Sequence, residues 1–164
     1  VARSGEVRGA TWDEIDLARG VWTIPAARML KRGVEHRVPL PARALELVKA
    51  LPRFEGSPYV FTSPRGKAFS DAALGKVMRT TNDAQAARDG RGFLDTRSGK
   101  PAVPHGLRST FRDWASEAGW DRELSELALA HSVGSEVERA YRRSDMLEKR
   151  RAMMLQWSNY LRGE

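Results

Sequence analysis

The sequence predicts an α+β domain, mostly helical, with a small three-stranded antiparallel sheet on its N-terminal side. Three observations carry that expectation. Short runs between residues 11 and 40 alternate apolar and polar side chains and are separated by glycine turns, as half-buried strands are. From residue 104 onward the apolar side chains recur at the three- and four-residue spacing of helices. The chain has 164 residues and is 41% hydrophobic, enough for the core of one domain.

Taken in order, Gly5, Glu6 and Arg8 read as the tail of a helix already under way, so residues 1–164 are expected to be one domain of a longer protein. Residues 11–17 alternate as a first strand, Ala18-Arg19-Gly20 turns, and Val21 to Ile24 forms a second strand closed by Pro25. Lys31-Arg32-Gly33 is a second turn before a third strand from His36 to Leu40. Pro41 suits the first position of a helix over 42–51, with Leu45, Leu47, Val48 and Leu51 on its apolar face. Tyr59-Val60-Phe61 is a short apolar run, and Ser70 can cap a helix reaching about Thr81. Residues 88–101 are polar, glycine-rich and basic; they read as a loop, either contacting phosphate or simply mobile.

Helices are then expected over about 105–118, ending at Gly119, and about 121–130. Ser135 with Glu138 forms a capping box for a helix carrying Tyr141. The last helix, about 145–161, places Met146, Met153, Met154, Trp157 and Leu161 on one stripe. Such a stripe can pack on its own domain or on a neighbouring protomer.

Composition excludes several functions. With no cysteine there is neither a disulfide scaffold nor a thiolate metal site, and the chain suits a reducing compartment. Its three histidines (His36, His105, His131) show no H-E-x-x-H spacing, so no metal is expected. No apolar stretch reaches bilayer length and no signal peptide is evident. The net charge of +7, from 28 basic against 21 acidic residues, points instead to a polyanionic partner, nucleic acid before acidic lipid.

Several polar residues could carry chemistry. In His105-Gly106-Leu107-Arg108, positions i and i+3 share a helix face, so imidazole and guanidinium can converge, with Phe111 and Trp114 anchoring the helix. Each candidate also has an ordinary reading. His105 can be a cap and Arg108 a surface residue; Arg3 can be solvated; Lys31 can be a hairpin tip. His131 can be a half-buried histidine at a helix end, and Tyr141 a packed aromatic.

Taken jointly and in order, the set favours the chemical reading. Residues Arg3 to Glu6, Trp12 to Asp16, Trp22 to Pro25, Lys31 and His36 to Leu40 closely resemble the tyrosine recombinase family, in its phage and genomic-island integrase branch. His105 to Arg108, Leu129-Ala130-His131, Ala140-Tyr141-Arg142-Arg143 and the tail from Lys149 to Trp157 continue the resemblance over nearly the whole chain; residues 85–101 depart most from it. The resemblance implies an active site of Arg3, Lys31, His105, Arg108, His131 and Tyr141, without metal or cofactor. Tyr141 would attack a backbone phosphorus, forming a 3′-phosphotyrosine and releasing a 5′-hydroxyl. Arg3 and Arg108 would clamp the non-bridging oxygens. Lys31 would protonate the leaving oxygen, His105 would assist deprotonation of Tyr141, and His131 would donate to the phosphate.

Arg28, Arg32, Arg91, Lys100 and Arg142 are expected DNA contacts. The implied partners are duplex attachment-site DNA, further copies of the chain in a tetramer on DNA, and accessory DNA-bending proteins. The free chain is expected to be monomeric and the setting the bacterial cytoplasm, at the nucleoid. An N-terminal DNA-binding domain is expected to precede this piece. Two alternatives stand beside that reading: a non-catalytic basic DNA-binding remnant, and a type IB topoisomerase-like enzyme with similar chemistry.

Overall fold

Glu6 sets the first element. Its carboxylate accepts the Arg3 backbone N–H at 2.6 Å, satisfying a donor left unpaired at the start of α1 (Ser4–Arg8). Helix α1 therefore begins at residue 4 with Arg3 extended before it, instead of continuing an earlier helix. The structure is a computed structural model that describes residues 1–29, 33–135, 141 and 144–164.

The first expected strand is largely replaced by a turn. Thr11 bridges to Tyr59, Trp12–Glu14 winds into one 3-10 turn, and Ile15–Asp16 (β1) alone joins the sheet. The Glu14 carboxylate collects the Trp22 indole N–H at 2.9 Å and the Arg28 guanidinium, contacts that favour the turn over an extended strand. Asp16 Oδ1 then accepts the N–H groups of Ala18 and Arg19, and Gly20 turns the chain at φ +62°. Strand β2 (Val21–Ile24) pairs antiparallel with β1 through Ile15↔Trp22 and with β3 (His36–Pro39) through Ile24↔His36. The order β1-β2-β3 is the expected meander.

Further helices among the described residues include α2 (Ala42–Lys49), α3 (Ala72–Asp89), α4 (Gly106–Glu117), α5 (Arg122–Ala128) and α6 (Leu147–Tyr160). Helix α3 runs eight residues past the expected end at Thr81, because residues 82–89 are rich in alanine and other good helix formers. Gly90 stops it at φ +72°. The segment after it is more ordered than a plain loop. The Asn82 side chain accepts the Phe93 N–H at 2.8 Å, and Leu94 pairs with Pro101 as a short hairpin.

Two apolar clusters form the core. One joins the sheet residues Trp22, Ile24 and Val38 to Val48 and Ala130. The other packs α4, α5 and α6 around Phe111, Trp114, Met153 and Trp157, with the Phe111 and Trp157 rings edge to face at 5.4 Å. The stripe on α6 is thus filled within the same chain. Leu161 departs from it: it is the C-cap residue, past the last packed turn, and 63% exposed. A further tie joins the two halves. The Arg150 guanidinium, 1% exposed, reaches the Arg37 carbonyl at 2.5 Å and the Asp145 carboxylate at 2.8 Å, and Arg37 pairs with Asp145 from the other side.

Leu129 belongs to one cluster and Ala130 to the other. The turn after α5 therefore lies on the seam between them, and the candidate site is built there.

Candidate active site

Helix α5 is capped by Asp121, whose side chain accepts the Leu124 N–H at 3.1 Å. It ends in a Schellman turn: His131 N–H reaches the Glu126 carbonyl at 2.9 Å and Ala130 N–H the Leu127 carbonyl at 3.0 Å. Ala130 occupies the left-handed position at φ +54°, where glycine is the usual residue. Its backbone conformation aims two successive carbonyls, Leu129 and Ala130, into the seam. A β-branched side chain tolerates that position poorly. Ala130→Val should therefore lower unfolding free energy by about 1–3 kcal/mol, read from urea denaturation.

Those carbonyls receive the two arginines. The Arg108 guanidinium, 6% exposed, donates to the Leu129 carbonyl at 2.7 Å, to the Val1 carbonyl, and to His131 Nε2 at 3.1 Å. Arg3 donates to the Ala130 carbonyl at 3.4 Å and to Glu6 Oε1 at 2.8 Å. Burial and then the like charge of Arg3 lower the Arg108 proton affinity, and the carboxylates of Glu6 and Glu126 act against them. The negative end of the α5 dipole adds to that compensation.

Burial raises the Glu6 pKa, but the Arg3 backbone N–H and guanidinium, with Arg108 behind, outweigh it and hold the carboxyl below its ordinary value. Folded Glu6 then binds fewer protons than unfolded Glu6. Its stabilisation is complete above about pH 4.3, the unfolded value, and drains away as pH falls through the folded one. Glu6→Gln should accordingly flatten the acid limb of a stability–pH curve below about pH 4.3 while lowering stability at pH 7. An unchanged acid limb would remove Glu6 from this role.

The structure brings Arg3, Arg108 and His131 together. His105 precedes α4 at its N-cap, one turn before Arg108, with an exposed ring. Tyr141 is helical and 82% exposed, so it is not a packed core aromatic. Lys31, Arg32 and Arg142 lie outside the described residues, as does Glu138 of the expected capping box. Among the expected DNA contacts, Arg91 and Lys100 are exposed beside the hairpin. Arg28 is engaged internally, with the Glu14 carboxylate and the Glu6 carbonyl. Sequence reading missed three supporting residues: Glu6, Glu126 and Arg112. For Glu6 the signal was its i+3 spacing from Arg3; for Glu126 it was a position five before His131, the spacing a Schellman turn brings together.

Two guanidiniums and an imidazole are gathered at one helix end on an α+β scaffold, and groups of this kind are able to meet negatively charged oxygens. A crystal structure of XerA recombinase shares the scaffold, with a TM-score of 0.59 at 18% identity over 90% of this chain and 51% of that one; the likeness concerns the fold. The sequence profile of the phage integrase family matches residues 1–148, and the chain belongs to that family of tyrosine recombinases. It is similar to prophage integrase IntA of Escherichia coli (strain K12), 37% identical over 164 residues covering 99% of this chain and 36% of IntA. It is also similar to the integrase of Enterobacteria phage P4, 33% identical over 172 residues, 97% of this chain and 37% of that integrase. The chain thus spans a little over a third of the length of these curated relatives.

Proposed function

We propose that this chain is the catalytic part of a site-specific integrase that cuts and rejoins duplex DNA through a 3′-phosphotyrosine on Tyr141. The observation that carries the reading is the convergence of Arg3, Arg108 and His131 on the turn after α5. The phosphorane-like transition state spreads negative charge over non-bridging oxygens, and two preorganised guanidiniums meet that charge without reorganisation. The exposed Tyr141 ring is accessible to a backbone phosphorus. His105 assists loss of the phenolic proton, and Lys31 returns a proton to the 5′-oxygen.

Arg91 and Lys100 contact phosphates flanking the cut, so affinity falls steeply with salt through counterion release. The working assembly on DNA is a homotetramer, aided by DNA-bending proteins, and the free chain is monomeric. The test is incubation with duplex DNA carrying a nick beside the cleavage site, which traps the covalent species by losing the short 5′-hydroxyl strand. A protein–DNA band stable on a denaturing gel supports strand transfer. DNA binding without that band would leave only the basic DNA-binding reading.

A further inference from the structure

We infer that Glu126 is the positioning residue of the site, fixing the His131 imidazole through its Nδ1 and so setting which ring nitrogen faces the phosphate. This inference rests on the strand-transfer reading above and assigns one residue its part in it. His131 Nδ1 lies 2.5 Å from Glu126 Oε2, while Glu126 Oε1 is 3.0 Å from an Arg112 Nη. On the opposite edge of the ring, Nε2 is 3.1 Å from Arg108 Nη2. A guanidinium can only donate, so Nε2 accepts and the ring proton sits on Nδ1, donated to Glu126.

The fold explains why these side chains meet. A Schellman turn brings the residue five after C3 back beside C3, a place usually filled by an apolar pair. Here C3 is Glu126 and its neighbour is His131, joined by their backbones as well as their side chains. Arg112 follows Arg108 by one helical turn on α4, so the same helix face supplies the partner of the phosphate and the partner of the carboxylate. The Glu126 side chain is only 14% exposed, which shields this link from solvent screening.

The arrangement has a consequence for the reaction. A phosphate oxygen that takes over the Arg108 Nη2 hydrogen leaves Nε2 without its donor. Nε2 can then donate to the phosphate only by binding one proton from solvent, since Nδ1–H stays with Glu126. The carboxylate behind the ring supplies the negative charge that offsets the resulting imidazolium. A carboxylate supporting a histidine this way governs both tautomer and orientation.

The test compares Glu126→Ala and Glu126→Gln, each with His131 intact and with His131→Ala, by single-turnover adduct formation on the nicked duplex. Glu126→Ala should slow adduct formation about 10- to 100-fold, the scale of such supporting groups, with DNA affinity unchanged. Glu126→Gln, which keeps an acceptor for Nδ1–H but no charge, should lose less. In the His131→Ala background, Glu126→Ala should cause no further loss, because its effect passes through the ring. Wild-type rates in Glu126→Ala overturn the inference. So does an equal loss in both backgrounds, which marks a merely structural carboxylate.

An independent reading comes from ring ¹⁵N spectra of the free chain, where only three histidines contribute. His131 should show a protonated Nδ1 with a downfield, slowly exchanging proton that Glu126→Ala abolishes; a bare Nδ1 overturns the inference. If the wild-type chain forms no adduct, strand transfer fails as the function. The ring spectrum then decides the hold of Glu126 on His131 by itself.

Discussion

Tyr141→Phe should bind duplex DNA as the parent chain does and form no covalent adduct on the nicked substrate. The expectation follows from what the phenol alone supplies. In the proposed reaction its oxygen displaces the 5′-oxygen from phosphorus, so one P–O bond forms as another breaks, and the ester keeps the energy needed for religation. Phenylalanine has no atom that can form that bond. The ring is 82% exposed, so removing its hydroxyl breaks no core contact, and stability should move by less than about 0.5 kcal/mol. Cleavage and folding are therefore separable in this variant. Adducts that persist would transfer the nucleophile to one of the two other tyrosines. Tyr160 stacks on Trp157 with centroids 5.4 Å apart, and Tyr59 pairs across a bridge with Thr11.

How much of this was legible in the sequence differs by element. The second and third strands were readable because alternation, turn residues and Pro25 agree on them. The first was not, since one acidic side chain, Glu14, favours a turn at residues 12–14 by collecting an indole and a guanidinium from 8 and 14 residues away. Periodicity carries no information about such a partner. Helix α3 has no buried residue, so it lacks the apolar stripe by which helices are recognised, and its last two turns rest on propensity and on the Gly90 stop.

In the site, the resemblance named Arg3, Arg108 and His131, which the fold gathers at one turn, but their supports were not legible. Glu6 and Glu126 look like surface acids until the fold places guanidiniums beside them. Arg28 shows the reverse case: a basic residue expected on DNA whose guanidinium is turned inward to Glu14. Charge type is visible in a sequence, whereas its partner is a property of the tertiary structure.

Arg108→Lys separates clamping from simple attraction, because it keeps the charge and discards the fork. The guanidinium reaches three acceptors at once, the Val1 and Leu129 carbonyls and His131 Nε2. An ammonium is a single nitrogen on a flexible stem and cannot span them. Two effects follow. The buried acceptors lose their donor, which should lower stability by about 1–3 kcal/mol, read from denaturant midpoints. Adduct formation should fall about 100- to 1,000-fold, because the proposed clamp loses its preorganised pair of donors to the transition-state oxygens. DNA affinity should change far less, since the phosphate still meets one positive charge in a field set by many. Assays well below the melting temperature keep the first effect from entering the second. Binding and cleavage reduced by the same factor would show that Arg108 holds DNA without distinguishing the transition state from the ground state. Unequal losses place its contribution in the transition state, where a bidentate cation buried against a helix end differs most from a solvated one.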